Sequence, residues 1–178
     1  MDSPGKGAER KFAMHNAMVA IYPGSFDPIT LGHLNIMERT SRLFDRLVVA
    51  VGSNCEKLPW FTPEERAEFV RISTASLPNV SVEIYEGLTV NYVRERGAKI
   101  MIRGVRPLTD ISAEITMMMA NRRLAPDVET LFLVADGELA HVSSSLIKEI
   151  AGEADAAMLA SFLPPVAVEA VMRKVGAK

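Results

Sequence analysis

Residues able to do chemistry cluster in three stretches of the chain. In the first, Tyr22-Pro23-Gly24-Ser25-Phe26-Asp27-Pro28-Ile29-Thr30-Leu31-Gly32-His33 gathers special-geometry and polar residues too densely for an idle connection. Gly24 and Gly32 permit close backbone approach, Pro23 and Pro28 stiffen the path, and Ser25 and Thr30 offer hydroxyls. His33 falls in the first turn of the following helix. The free N–H groups of a helix start attract phosphate, and a histidine placed there donates to a phosphoryl oxygen. A lone Gly-His pair would read as a capped helix with a satisfied surface histidine; the residues upstream of it move the reading to phosphate chemistry.

The second stretch is Arg103-Gly104-Val105-Arg106, two arginines about a glycine, suited to multidentate binding of phosphate or carboxylate. Alone, the pair could equally balance Asp110 and Glu114. The third is Val142-Ser143-Ser144-Ser145-Leu146-Ile147-Lys148, where one serine suffices as a cap and two further hydroxyls remain. Lys148, one turn on, either reaches a phosphate or balances surface charge. Lys57 lies in a loop where a lysine could follow moving charge, although most single lysines are simply solvated. Cys55 carries no sign of activation and is given no role. Walker A, Gly-x-Gly-x-x-Gly, paired-histidine and Gly-x-Ser-x-Gly patterns are all absent from the chain.

These stretches need elements to hold them. Short apolar runs bounded by turn residues predict strands at Met18–Tyr22, Leu47–Gly52, Val80–Tyr85, Lys99–Ile102 and Thr130–Val134. The first, second and fifth are continuously apolar, as strands buried on both faces should be. Helical patterns lie between and after them, at His33–Phe44, Thr62–Ser76 (opening on the capping box Thr62-Pro63-Glu64-Glu65), Leu88–Arg96, Thr109–Leu124, Ser143–Ala151 and Pro165–Val175. The alternation predicts an α/β fold, a doubly wound five-stranded parallel sheet of Rossmann-like type with C-terminal helices. In the common strand order, strand one lies beside strand four where the winding reverses, and ligands bind beyond their C-terminal ends. The first two stretches follow those two strands. Ile115 and Met117–Met119 give Thr109–Leu124 more apolar surface than one face needs, which reads as core plus subunit contact.

Composition narrows the function classes. The chain has 178 residues, 48% hydrophobic and 24% charged, an ordinary globular balance that excludes disorder. We read residues 1–16 as a polar N-terminal extension and 17–178 as a single domain. His15 and Asn16 interrupt the mildly apolar stretch after Lys6, Arg10 and Lys11, so it does not read as a signal peptide. A net charge of −2 argues against a nucleic-acid or anionic-membrane partner, and no apolar run reaches a membrane span. One cysteine allows no internal disulfide and fits a reducing, cytoplasmic setting.

Thr30-Leu31-Gly32-His33 resembles the T/H-x-G-H signature of the nucleotidylyltransferase superfamily, and the serine run resembles its second signature. Tyr22 to His33, Phe61-Thr-x-Glu-Glu-Arg66, Ile102 to Arg106 and Val142 to Glu149, in order and at matching spacing, resemble the bacterial phosphopantetheine adenylyltransferase family more closely. The resemblance covers the chain from about Val19 to its end.

The resemblance implies transfer of an adenylyl group from ATP to 4′-phosphopantetheine, giving dephospho-coenzyme A and pyrophosphate. It implies His33, Lys57 and Arg106 as the catalytic set. It puts Ser25, Phe26, His33, Gly104, Arg106, Glu114, Ser143, Ser144 and Ser145 on ATP, and Ser25, Lys57, Leu88, Thr89, Arg103 and Asn121 on phosphopantetheine. It further implies Mg2+ accompanying the nucleotide with no protein ligand to it, a homohexamer, and coenzyme A as a feedback inhibitor. Thr89 replaces a methionine of some members, His141 an aromatic, and Lys148 an arginine that often ends the superfamily's second signature. The attacking phosphate is already anionic, so the chemistry calls for alignment and charge neutralisation without a strong base. Other readings are a nucleotidylyltransferase for nicotinamide mononucleotide or a polyol phosphate, a non-catalytic nucleotide sensor, and a nucleic-acid module; intact His33 and Lys57 and the net charge weigh against the last two.

Overall fold

The structure is a computed structural model that describes residues 17–53, 58–105 and 111–176. Five parallel strands form one sheet: β1 (Val19–Gly24), β2 (Arg46–Gly52), β3 (Val80–Tyr85), β4 (Ile100–Val105) and β5 (Glu129–Val134), in the order β3-β2-β1-β4-β5. The expected neighbours β1 and β4 are thus adjacent at the point where winding reverses. Helices α1 (Leu31–Ser41), α2 (Pro63–Ser73), α3 (Thr89–Glu95) and α4 (Ile111–Leu124) connect successive strands. A 3₁₀ turn at Gly137–Leu139 leads to α5 (Ser144–Ile150), α6 (Ala156–Leu159) and α7 (Pro165–Gly176).

Alternation along each strand splits the core in two. Ala20, Tyr22, Leu47, Val49, Val51 and Ile102 face the layer of α1, α2 and the C-terminal helices. Ile21, Val48, Ala50 and Met101 face the other side, against Val90, Tyr92 and Val93 of α3. Burial on both faces therefore holds for β1 and β2. It does not hold for β5, which lies at the sheet edge with Leu131 39% and Val134 48% exposed. Leu133 of β5 still packs against the core, whereas its neighbour α4 buries none of its residues among the described part of the chain.

Local chemistry accounts for the helix starts. Thr62 caps α2: its hydroxyl accepts from the Glu65 N–H while Glu65 accepts from the Thr62 N–H at 2.8 Å, with Pro63 at the first helical position. Asp155 caps α6 by accepting from the Met158 N–H at 2.8 Å. That helix has a single turn, too short to show periodicity in the sequence.

Candidate active site

The sheet opens where the chemistry gathers. Strands β1 and β2 pair over six residues, as do β4 and β5, but β1 and β4 pair only at Ala20 with Ile100 and Ile21 with Met101. Beyond these pairs the two strands part. Tyr22, Gly24 and Ser25 then line one side of a cleft of about 290 Å3, and Arg103 and Gly104 another. His33, Glu114 and Ser143 to Ser145 complete the polar lining. A Cβ on Gly104 would come 3.1 Å from the Tyr22 hydroxyl and 3.3 Å from Ile36, so glycine keeps this wall close to its neighbours.

His33 is the third residue of α1, where it takes part in the helix cap and lines the cleft. Thr30 caps the helix by accepting from the His33 N–H at 3.3 Å, and the Thr30 N–H donates to His33 Nδ1 at 3.1 Å. An Nδ1 that accepts a backbone N–H carries no proton in the neutral ring, so the proton sits on Nε2. The imidazole also lines the cleft, edge to face with Phe26 at 5.2 Å and 80°. The reciprocal cap thus fixes the tautomer of a ring that lines the cleft.

Across the cleft, Arg103 forms a fork with Glu114: Nε donates to Oε2 at 2.8 Å and Nη2 to Oε1 at 2.5 Å, while Nη1 donates to the Pro23 carbonyl at 3.1 Å. Burial works against the Arg103 charge, but Glu114 outweighs it and leaves the guanidinium pKa above its ordinary value. Burial pushes the nearby Tyr22 phenol up, against the lowering pull of Arg103. Tyr22 is therefore a neutral hydroxyl at the floor of the cleft.

The serine run divides its work. Ser143 caps α5 by accepting from the Leu146 N–H at 3.0 Å, and Ser144 Oγ donates to the Pro28 carbonyl at 2.9 Å. Ser145 lines the cleft with them.

Two supporting residues are not picked out as functional by sequence reasoning. Arg66 of α2 is fully buried and donates to the carbonyls of Ser25 at 2.6 Å, Gly52 at 2.9 Å and Phe61 at 3.1 Å, which ties the first stretch to the ends of β2 and α2. An arginine among the core-facing positions of a helix was its available signal. Asp27 accepts from the Trp60 and Phe61 N–H groups at 2.9 and 3.0 Å and pairs with Lys148. Lys148 therefore does not line the cleft; its ammonium is committed to a buried carboxylate.

The cleft brings together Ser25, Phe26, His33, Arg103, Gly104, Glu114 and Ser143 to Ser145. Leu88, Thr89 and Asn121 stand apart from it: Leu88 is the exposed residue ahead of α3, Thr89 Oγ1 shares a hydrogen bond with the Tyr85 hydroxyl at 2.9 Å, and Asn121 sits near the end of α4. Lys57 and Arg106, with Cys55 and Asp110, lie outside the described residues. Among the described residues, no three His, Cys, Asp or Glu side chains gather to hold a metal ion, and no helix is long and apolar enough to cross a membrane.

Residues 21–150 match the cytidylyltransferase-like family. A phosphopantetheine adenylyltransferase of Rhodopirellula baltica is 53% identical over 160 residues, covering 89% of this chain and 89% of its own length. One from Desulforudis audaxviator is 47% identical over 133 residues, 75% of this chain and 82% of that protein. Among solved structures, a Plasmodium falciparum nicotinic acid mononucleotide adenylyltransferase complexed with NaAD superposes with a TM-score of 0.68 at 14% identity, covering 89% of this chain and 96% of that one. At that identity the likeness shows the shared fold alone.

Proposed function

The chain belongs to the phosphopantetheine adenylyltransferase family, within the cytidylyltransferase-like proteins, and we infer from this that it transfers the adenylyl group of ATP reversibly to 4′-phosphopantetheine. The products are dephospho-coenzyme A and pyrophosphate, the penultimate step of coenzyme A synthesis. The observation that carries the reading is the histidine with its tautomer fixed by Thr30, set across the parted ends of β1 and β4 from Arg103.

The residues suit direct in-line attack by the phosphopantetheine phosphate on the ATP α-phosphate. The nucleophile is already an anion, so its approach is limited by charge and orientation rather than by deprotonation. His33 Nε2–H donates to an α-phosphate oxygen and meets negative charge as it builds there. Ser25, Phe26, Gly104, Glu114 and Ser143 to Ser145 are proposed along ATP, and Arg103 towards phosphopantetheine with Leu88, Thr89 and Asn121 further out along its arm. The family resemblance adds Lys57 and Arg106 on the phosphates.

Magnesium is proposed as a companion of the nucleotide phosphates rather than an ion in a protein cage. The carboxylate that lines the cleft, Glu114, is engaged by Arg103, which fits an ion bound chiefly through substrate oxygens. When bound, it would neutralise triphosphate charge. The unburied α4 supports self-association through that helix, proposed as the homohexamer that the family resemblance implies. A single cysteine supports a cytoplasmic setting. Coenzyme A carries the same pantetheine arm as the substrate and is proposed to inhibit by competing for its site.

The test is pyrophosphate release from ATP with phosphopantetheine, nicotinamide mononucleotide and glycerol phosphate compared in parallel. Release with phosphopantetheine alone is expected. Faster turnover of nicotinamide mononucleotide would overturn the acceptor assignment.

A further inference from the structure

Phe26 is a non-glycine residue in left-handed backbone, with φ of +50°, and it is 1% exposed. Such a conformation persists only where its surroundings over-determine it. Its ring is held beneath Gly24, edge to face with Tyr22 at 5.4 Å, and against the imidazole of His33 at 5.2 Å. The next residue, Asp27, is what fastens the backbone. Its carboxylate is 5% exposed and takes three donors from two other parts of the chain: the Trp60 and Phe61 N–H groups ahead of α2, and Lys148 Nζ from α5. Lys148 in turn lies over the Trp60 ring at 5.8 Å.

A buried carboxylate with two backbone donors still carries a full charge, and an ammonium is the partner that neutralises it. Remove that partner and Asp27 gains by turning towards water, which drags Phe26 out of its strained geometry. The ring of Phe26 touches His33, so the shift reaches the reacting histidine. We propose that Asp27 and Lys148 are positioning residues for His33, acting through the left-handed Phe26, and that Lys148 has no direct contact with substrate phosphate. The proposal rests on the reading of the cleft as the active site.

The test is a double-mutant cycle on the full chain with Lys148→Met, Asp27→Asn and the pair, read at temperatures well below each variant's melting point. Two readouts are taken. The first is the His33 Cε1–H NMR signal of the ligand-free protein, assigned by its loss in His33→Ala and sensitive to the Phe26 ring current. The second is steady-state kinetics with ATP and phosphopantetheine. Each single variant should move the His33 signal and lower kcat about 10- to 100-fold, the scale of a sub-ångström to ångström misplacement. KM for ATP should stay within about threefold, as for a contact that matters only in the transition state. The double variant should be no worse than the poorer single one, because both act through one pair. Lys148→Arg should restore most of kcat. If Asp27→Asn fails to fold, Lys148→Met alone decides.

An unmoved His33 signal with a large rise in KM for ATP would make Lys148 a direct phosphate ligand and overturn the proposal. A lowered melting temperature with unmoved signal and unchanged kcat would overturn it in favour of a purely structural pair. The NMR readout needs no substrate. A wild-type enzyme that ignored phosphopantetheine would sink the assigned reaction, while the His33 shift would still decide the positioning claim.

Discussion

Arg103 meets Glu114 as a two-pronged pair and spends its remaining nitrogen on the Pro23 carbonyl, so three hydrogen bonds hold the guanidinium at the wall of the cleft. A phosphate that meets the outer N–H groups of Nη1 and Nη2 therefore meets a fixed guanidinium rather than a free side chain, and loses less in ordering it. Arg103→Ala should raise KM for phosphopantetheine about 10- to 150-fold, the worth of one charge-assisted hydrogen bond. KM for ATP should change much less. Steady-state kinetics with each substrate varied in turn is the check, and equal losses for both substrates would show one shared phosphate site.

The glycines of the first stretch should part company on substitution. A Cβ on Gly24 would lie 2.7 Å from Cζ of the buried Phe26 ring, which has nowhere to go. Gly24→Ala should cost about 1–3 kcal/mol of stability, as overpacked cores do. At Gly32 the nearest atom would be 3.5 Å away, an ordinary contact. Gly32→Ala should fold normally, and any loss of kcat in it then reports on ligand approach. Urea melts of the two variants decide between these outcomes; equal destabilisation would contradict the packing described.

Ile111, Ile115 and Met119 recur every four residues along α4 and are 47%, 41% and 65% exposed, a stripe left uncovered among the described residues. If the proposed homohexamer forms through this stripe, Ile115→Glu with Met119→Glu should dissociate it without lowering the melting temperature of the released chain. Size-exclusion chromatography with light scattering tests it, and a monomeric wild-type protein would remove the premise.

Alkaline pH should weaken the fold through its buried phenols. Burial raises the Tyr92 pKa from 10 to about 12, with its hydrogen bond to Glu83 adding to the shift, and burial also raises that of Tyr22. The native state then holds protons that the unfolded chain gives up. The contribution of Tyr92 to stability is fully present below pH 10 and is lost as pH climbs through about 12. Tyr92→Phe should flatten the decline in melting temperature across that window. An unchanged slope would show that Tyr92 ionises as freely in the folded chain as in the unfolded one.

The elements that position the site were legible because their signals are local. Unbroken apolar runs at β1 and β2, the Thr62 capping box and the alternation of strand and helix each state their structure within a few residues. What escaped depends on partners far along the chain. Lys148 reads as a surface or phosphate lysine until its 121-residue separation from Asp27 is closed by folding. Arg66 reads as one more helix charge until the Ser25 and Gly52 carbonyls are brought to it. The exposure of β5 follows from strand order, which periodicity does not encode, and from an α4 none of whose described residues is buried.

His33, fixed by Thr30, is the residue proposed to donate to the phosphate being transferred. The kcat of His33→Ala, measured on protein shown by circular dichroism and melting to be folded, tests it most directly. It should fall by about 10²–10³, the usual loss of one preorganised donor, with KM values little changed. A folded His33→Ala enzyme with near-normal kcat would contradict it.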